Sequence, residues 1–141
     1  MVRNCVRIFF AFSFMAMIGC ERADEEDINP GVELEPTLTS IQANIFNLNC
    51  ALSGCHAGSN AAQGLNLSEG ESFGNIVNVS SAEVPDFQRV EPGEPDQSYL
   101  YLKVIGDPAI IGGKMPLGRD QLTDEELAAI EQWIADGAMN N

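Results

Sequence analysis

The chain has 141 residues, a formal net charge of −14 at pH 7 and a sequence pI of about 4.1. This length fits one domain with additional segments. An acidic surface repels nucleic acid and anionic headgroups, which argues against nucleic acid as a partner and against a phosphate-binding role. Aromatic residues make up 7% of the chain, a small share for a core of this size. A large apolar cofactor would supply the missing core volume.

Residues 1–19 are predicted to be a signal peptide. Arg3 and Arg7 precede an uncharged apolar run over residues 8–19. The run is shorter than the roughly 20 apolar residues that span a bilayer, and its length is typical of a signal-peptide core. It ends in MIGC, which resembles a bacterial lipobox, a signal whose cysteine, here Cys20, becomes the first mature residue and carries the lipid. An ordinary secretory signal cut nearby is the alternative.

Both interpretations predict an exported protein. With a lipid on Cys20 the chain would be anchored in the bilayer on the periplasmic side of the cell envelope. Glu21 follows the cysteine; an aspartate there would indicate retention in the inner membrane, so the outer membrane is slightly favoured. Removal of residues 1–19 takes away two basic side chains and no acidic ones, and leaves only Cys50 and Cys55 for chemistry other than lipidation.

Residues 20–38 are predicted to be an acidic flexible tether between the lipid and a folded domain. They carry two prolines and show neither a helical nor a strand period, as solvated linkers do. An acidic interaction tail is the alternative interpretation. The folded domain is then expected over residues 39–141.

The first predicted helix begins after residues 39–40, which can cap it. Ile41, Ile45 and Leu48 recur at the spacing of one α-helical face. The helix runs directly into Cys50.

The middle of the domain is expected to be rich in loops. Residues 57–75 are rich in Gly, Ser and Asn and are predicted to be loop. Residues 75–80 and 88–91 are predicted to be short strands that can pair as a β-hairpin insertion. A second short helix is predicted over residues 98–105, followed by a loop over residues 106–122.

The last helix is the element that the sequence predicts most clearly. A T-x-x-E capping box starts at Thr123. Leu127, Ile130 and Ile134 then form an apolar stripe, with Trp133 beside it. Together the elements predict an all-α domain of short helices and long loops. Long loops in a small domain normally need something to pack on.

Cys50, Cys55 and His56 form the motif C-x4-C-H. The usual haem-attachment signal is C-x-x-C-H. Haem c needs two thiols that form thioethers with its vinyl groups and an imidazole that ligates the iron, and these three residues fit that scheme. The two additional residues must bulge outward, and Ser53 and Gly54 are suitable for a turn.

A sixth iron ligand would come from methionine or histidine. The chain has one histidine, so two histidines cannot ligate the iron within one chain. Three of the five methionines leave with the signal peptide, and Met139 lies in the tail after the last predicted helix, which is expected to fray. Met115, in a Gly-rich loop and followed by Pro116, is therefore the candidate distal ligand. An open sixth position and a ligand from another chain are the alternatives, and so is a methionine that only fills a gap in the core.

The two cysteines have a second interpretation. An oxidising compartment favours a structural disulfide between Cys50 and Cys55. A disulfide explains neither the adjacent His56 nor the Met115-Pro116 loop. A structural zinc site is disfavoured because it requires four ligands, whereas the chain offers only Cys50, Cys55 and His56.

The order of these features resembles that of class I c-type cytochromes. A short helix leads into the C-x4-C-H motif, Met115-Pro116 follows about 60 residues later, and an amphipathic helix closes the chain. The resemblance covers nearly all of residues 39–141. More narrowly, it is to small exported domains of bacterial lipoproteins with this variant motif. It implies one haem c bound covalently by Cys50 and Cys55, with His56 as proximal and Met115 as distal iron ligand. It also implies that the first and last helices pack together.

Two further residues are weaker candidates for haem contacts. Trp133 is by default a core residue, and its N–H could reach a propionate or its ring the haem edge. Arg89 lies in a mostly apolar local pattern and is the basic residue favoured to pair with a propionate. Most of the other basic residues, among them Lys103, Lys114 and Arg119, are expected at the surface.

The resulting functional prediction is a monohaem cytochrome that transfers one electron at a time, with no catalytic constellation of an enzyme. His/Met ligation raises the reduction potential relative to two histidines. The acidic surface predicts a redox partner with a basic docking patch and a salt-sensitive association rate. Two alternatives stay open: a haem-based sensor or ligand-binding module whose Met115 is displaced by a small gas, and a haem-free, disulfide-bonded lipoprotein that serves as an interaction module.

Overall fold

The computed structural model describes residues 34–141. This part of the chain is mostly helical with little strand, which is compatible with the predicted small all-α domain. The predicted signal peptide, the lipidation site Cys20 and most of the predicted tether lie outside the described residues. Among the helices of residues 34–141, none is both long enough and apolar enough to cross a membrane.

The helices are short and are separated by long irregular segments. In chain order they are α1 (Leu38–Ile41), which continues into a π-helix (Gln42–Cys50), α2 (Ser72–Ile76), α3 (Tyr99–Ile105) and α4 (Asp124–Ala135). Two 3₁₀ turns lie at Ala62–Gly64 and Pro95–Gln97.

The start of α1 differs from the prediction. Thr37, not residues 39–40, caps the helix, since its hydroxyl oxygen accepts a hydrogen bond from the Ser40 N–H at 3.2 Å. Thr39 instead donates from its backbone N–H and its hydroxyl to the carbonyl of Asn141, at 2.8 Å and 2.7 Å. Leu38 N–H donates to the Asn141 side chain at 3.0 Å. The first turn is therefore held by a residue about 100 positions later.

The π-helix changes which side chains face the core. The Ala51 N–H donates to the carbonyl of Phe46 at 2.7 Å, an i→i+5 bond that puts between four and five residues in each turn. Ile45 and Phe46 are both buried, whereas Leu48 is 59% exposed. The prediction that Leu48 shares the buried face is therefore wrong, because it assumed α-helical spacing. The wider turn puts Cys50 in line with the buried face.

The last helix agrees with the prediction. The Thr123 hydroxyl accepts from the Glu126 N–H at 3.2 Å, and the Glu126 carboxylate accepts from the Thr123 N–H at 2.8 Å. This capping box satisfies N–H groups that the first turn would otherwise leave unpaired. Ile130, Trp133 and Ile134 are almost fully buried. They share one apolar core with residues of the first helix.

The predicted β-hairpin is present only as isolated bridges. Val77 pairs with Val90 in parallel fashion, and Ser80 pairs with Gln88 in antiparallel fashion. Asn78 has a φ of 56°, which interrupts the extended backbone and prevents a continuous ladder. The two segments therefore contact each other as predicted, but they do not form strands. Part of the predicted 57–75 loop is helical, as the bounds of α2 show.

Helix α3 is buried over most of its surface. Six of its seven residues are buried, and only Ile105 is half-exposed. The helix ends at Gly106, whose φ of 78° is left-handed. A Cβ atom at this position would lie 2.8 Å from Cδ of Lys114. Glycine at residue 106 therefore serves both the helix end and the close approach of the following loop.

The π-helical register can be tested with two alanine substitutions. We expect Phe46→Ala to lower the free energy of unfolding by about 3 to 5 kcal/mol, because it leaves a cavity in the core. Leu48→Ala should change it by less than about 0.5 kcal/mol, as is usual for an exposed site. Urea unfolding of the two variants measures both values. If Leu48→Ala lowered the free energy of unfolding strongly and Phe46→Ala only slightly, the α-helical register would be favoured over the π-helical one.

Candidate functional site

The described domain contains a cavity between the π-helix, the turn at Ala62–Gly64, α3 and α4. Its atom-free space is about 960 Å³, counting the open mouth, and apolar side chains make up much of its wall. Four residues predicted as site residues line it: Cys50, His56, Arg89 and Met115. Apolar pockets with a few convergent polar groups are typical of cofactor sites.

Cys50 enters the cavity wall from the end of the π-helix. Its side chain is half-buried. Burial, followed by the negative charge of Glu126, raises the pKa of the Cys50 thiol to about 12. The thiol is therefore protonated at neutral pH. Cys55 behaves differently, since it is exposed and lies outside the cavity lining. Both thiols are free in the structure.

The residues between the two cysteines form a turn that points to solvent. The Cys55 N–H donates to the carbonyl of Leu52 at 2.9 Å. Gly54 has a φ of 83° and Ser53 is exposed, so the extra residues project outward at the left-handed glycine. The His56 N–H still reaches the Cys50 carbonyl at 3.2 Å. The turn thus keeps Cys50 and His56 close together despite the longer spacing.

His56 presents a half-buried imidazole with an unused nitrogen. Its Nδ1 atom is buried and has no hydrogen-bond partner. Burial lowers the pKa of the imidazole, the nearby carbonyls of Ala62 and Leu65 oppose that shift, and the charges of Lys103 and Arg89 add to it. The neutral form is therefore favoured. A neutral imidazole with a free nitrogen is the form that binds metal ions.

Met115 reaches the cavity from the irregular segment between α3 and α4. Its side chain is half-buried and packs against the core. Its backbone N–H donates to the carbonyl of Lys103 at 2.9 Å. Pro116, which follows, is buried. The structure therefore brings Met115 to the same cavity as His56, although about 60 residues separate them in the chain.

The structure gives Arg89 and Trp133 partners within the protein. Arg89 donates to three backbone carbonyls: Gln63 and Asn75, each at 2.8 Å, and Gly64 at 3.3 Å. It thereby ties the segment after His56 to the bridged segments, and burial lowers its pKa. The Trp133 N–H donates to the carbonyl of Met139 at 2.9 Å. Trp133 lies in the core and outside the cavity lining.

Three residues that the sequence analysis did not predict as site residues form a polar cluster on the cavity wall: Glu83, Tyr99 and Lys103. Lys103, expected at the surface, is only 9% exposed. Its ammonium group donates to the Glu83 carboxylate at 3.1 Å. Burial, followed by the neighbouring Glu83, raises the pKa of Tyr99, although the Ile111 N–H opposes the shift. The i, i+4 spacing of Tyr99 and Lys103 was the available signal that they are neighbours.

The chain matches no protein-family model, no curated protein and no solved structure.

The unequal burial of the two cysteines predicts unequal reactivity. The thiolate is the nucleophile toward iodoacetamide. In the reduced, haem-free chain at pH 8 we expect Cys55 to react at least about tenfold faster than Cys50, whose raised pKa keeps it protonated. Tandem mass spectrometry of a digest quantifies each site. In 6 M urea the difference should disappear. Equal rates in the folded chain would contradict the arrangement of the turn.

Proposed function

We propose that residues 39–141 form a monohaem c-type cytochrome domain, similar to those of class I, which carries single electrons. The observation that supports this most strongly is the convergence of Cys50, His56 and Met115 on one cavity. Cys50 and His56 belong to one short segment, whereas Met115 lies about 60 residues later in the chain. A disulfide-bonded interaction module gives no reason for all three to face the same space.

The residues present fit a haem on three counts. The cavity wall is largely apolar, as the surface of a macrocycle requires. His56 offers a buried nitrogen without a partner and a pKa that favours the neutral ligand. Cys50 offers a free thiol on the cavity wall, and addition of its S–H across a vinyl group would form a thioether. When bound, haem supplies an iron that alternates between the ferric and ferrous states.

The chain's own contribution is to fix these groups and to limit the access of water. The backbone of His56 is held on both sides, since its N–H donates to the Cys50 carbonyl at 3.2 Å and its carbonyl accepts from the Leu67 N–H at 2.8 Å. The apolar side chains of Ile45, Phe46 and Ile130 also line the cavity. A dry, low-dielectric surrounding disfavours the more charged oxidation state of a bound metal centre, so these side chains would contribute to a higher reduction potential.

The charge and the N-terminal sequence complete the proposal. With a formal charge of −14, the chain suits a redox partner that presents a basic patch, and their association would slow as salt is added. The predicted signal peptide and lipid on Cys20 would hold the domain on the periplasmic side of the envelope. The domain would then exchange electrons with other proteins of that compartment.

Haem attachment is tested by the intact mass of the mature chain from a host with cytochrome maturation. We expect the mass to include one haem, which persists after acid–acetone extraction because thioethers are covalent. The Cys50→Ala/Cys55→Ala double variant should lose it. A wild-type mass without haem and lower by two hydrogen atoms, as in a disulfide, would favour the interaction module instead.

The distal ligand is tested by replacing methionines one at a time in the haem-loaded protein. Met115→Ala should abolish the weak far-red charge-transfer band of Met-ligated ferric haem, because the thioether is removed. Met139→Ala is the matched control, since Met139 is 57% exposed, and it should leave the band unchanged. Persistence of the band in Met115→Ala would show that the sixth ligand lies elsewhere.

A further inference from the structure

The segment that carries Met115 has few regular backbone hydrogen bonds of its own. We call residues 106–118 the Met115 loop. Three contacts with α3 hold its central part. The Ile111 carbonyl accepts from the Lys103 ammonium at 2.8 Å, the Ile111 N–H donates to the Tyr99 hydroxyl at 2.9 Å, and the Met115 N–H donates to the Lys103 carbonyl at 2.9 Å. Both ends of the stretch from Ile111 to Met115 are therefore fixed to one helix.

The side chains that hold Ile111 are themselves fixed by Glu83. The Glu83 carboxylate accepts from the Lys103 ammonium at 3.1 Å and from the Tyr99 hydroxyl at 3.0 Å. Lys103 is 9% exposed and Tyr99 is 5% exposed. A lysine is rarely buried unless it is paired, and a satisfied buried network fixes the geometry of its members. The cluster therefore presents one donor and one acceptor to Ile111 in a defined arrangement.

The composition of the Met115 loop makes this anchoring necessary. Gly112 and Gly113 follow Ile111 and both are exposed. Two consecutive glycines give the backbone wide conformational freedom. Ile111 is itself 55% exposed, so its side chain adds little packing to hold the loop. The polar contacts to Tyr99 and Lys103 therefore restrict where the backbone before Met115 can go.

We propose that Glu83, Tyr99 and Lys103 are positioning residues that hold the Met115 loop so that Met115 faces the cavity. This inference rests on the proposed function in one respect, namely that Met115 is the distal ligand of a haem. The three residues act through the backbone of Ile111 and Lys103. Their loss releases the loop and leaves the distal side of the site open to small ligands.

The anchoring is tested first in the haem-free mature chain by hydrogen exchange at single amides. Tyr99→Phe keeps the ring and removes only the hydroxyl that accepts from Ile111, and Lys103→Leu keeps an apolar side chain, removes the ammonium and adds no thioether to the cavity wall. We expect both to speed exchange of the Ile111 amide on the order of tenfold, as loss of one part-buried hydrogen bond predicts. Lys114→Leu, which removes a charge from the same loop but none of the three contacts, should have no effect. Unchanged exchange in Tyr99→Phe and Lys103→Leu would overturn the anchoring.

The effect on Met115 is tested in the haem-loaded ferrous protein with carbon monoxide. We expect Tyr99→Phe and Lys103→Leu to bind carbon monoxide on the order of tenfold faster than the wild type, and Lys114→Leu to match the wild type. The far-red band of the ferric protein should weaken in the first two variants. Wild-type rates and an undiminished band would overturn the positioning role, even if exchange at Ile111 is faster.

The two tests separate failure of this inference from failure of the proposed function. A wild-type chain that carries no haem overturns the proposed function and, with it, the positioning of a ligand. Exchange at Ile111 then still decides whether the cluster anchors the loop. A haem-loaded wild type with a Met115-dependent band, combined with variants that behave as wild type in both tests, overturns only the inference.

Discussion

The packing of the first helix against α4 is the contact on which the rest of the domain depends. Ile45 and Phe46 from one side and Ile130 and Ile134 from the other are almost completely buried in the same core. The π-helix carries that buried face onward to Cys50, so one apolar seam both stabilises the domain and delivers a thiol to the cavity. Because the seam joins the two ends of the folded chain, the cavity forms only when those ends meet.

Polar contacts hold the parts of the cavity wall that the apolar seam does not form. The segments that form the remaining cavity walls are short of regular secondary structure, and side chains tie them together. Arg89 donates to two carbonyls of the turn at Ala62–Gly64 and to one in α2. Lys103 donates to Glu83 and to Ile111 of the Met115 loop. Lysine and arginine side chains are mostly exposed in folded proteins. Here two of them join loops that would otherwise have little to hold them.

The sequence predicted α4 well because its signals are local. The capping box and the apolar stripe lie within one helix and need no distant partner. Leu48 was assigned to the wrong face because α-helical spacing was assumed, and the i→i+5 hydrogen bonds that widen the turn leave no mark in the residue pattern. Lys103 was expected at the surface because its burial depends on Glu83, which a local pattern does not connect to it. Cys50 and His56 were selected by the C-x4-C-H spacing and Met115 by elimination among the methionines, but no local pattern shows that the two segments meet at one cavity.

The hydrogen bonds that Thr39 and Leu38 make with Asn141 have a consequence for the order in which the domain assembles. A chain leaves the ribosome N-terminus first, so residues 38–50 exist long before residue 141. Until then, α1 lacks two of the acceptors that hold its first turn. Short helices are marginal without tertiary support. The segment that bears Cys50 and Cys55 is therefore expected to be among the last to become rigid, so both thiols stay accessible while the rest of the domain is synthesised.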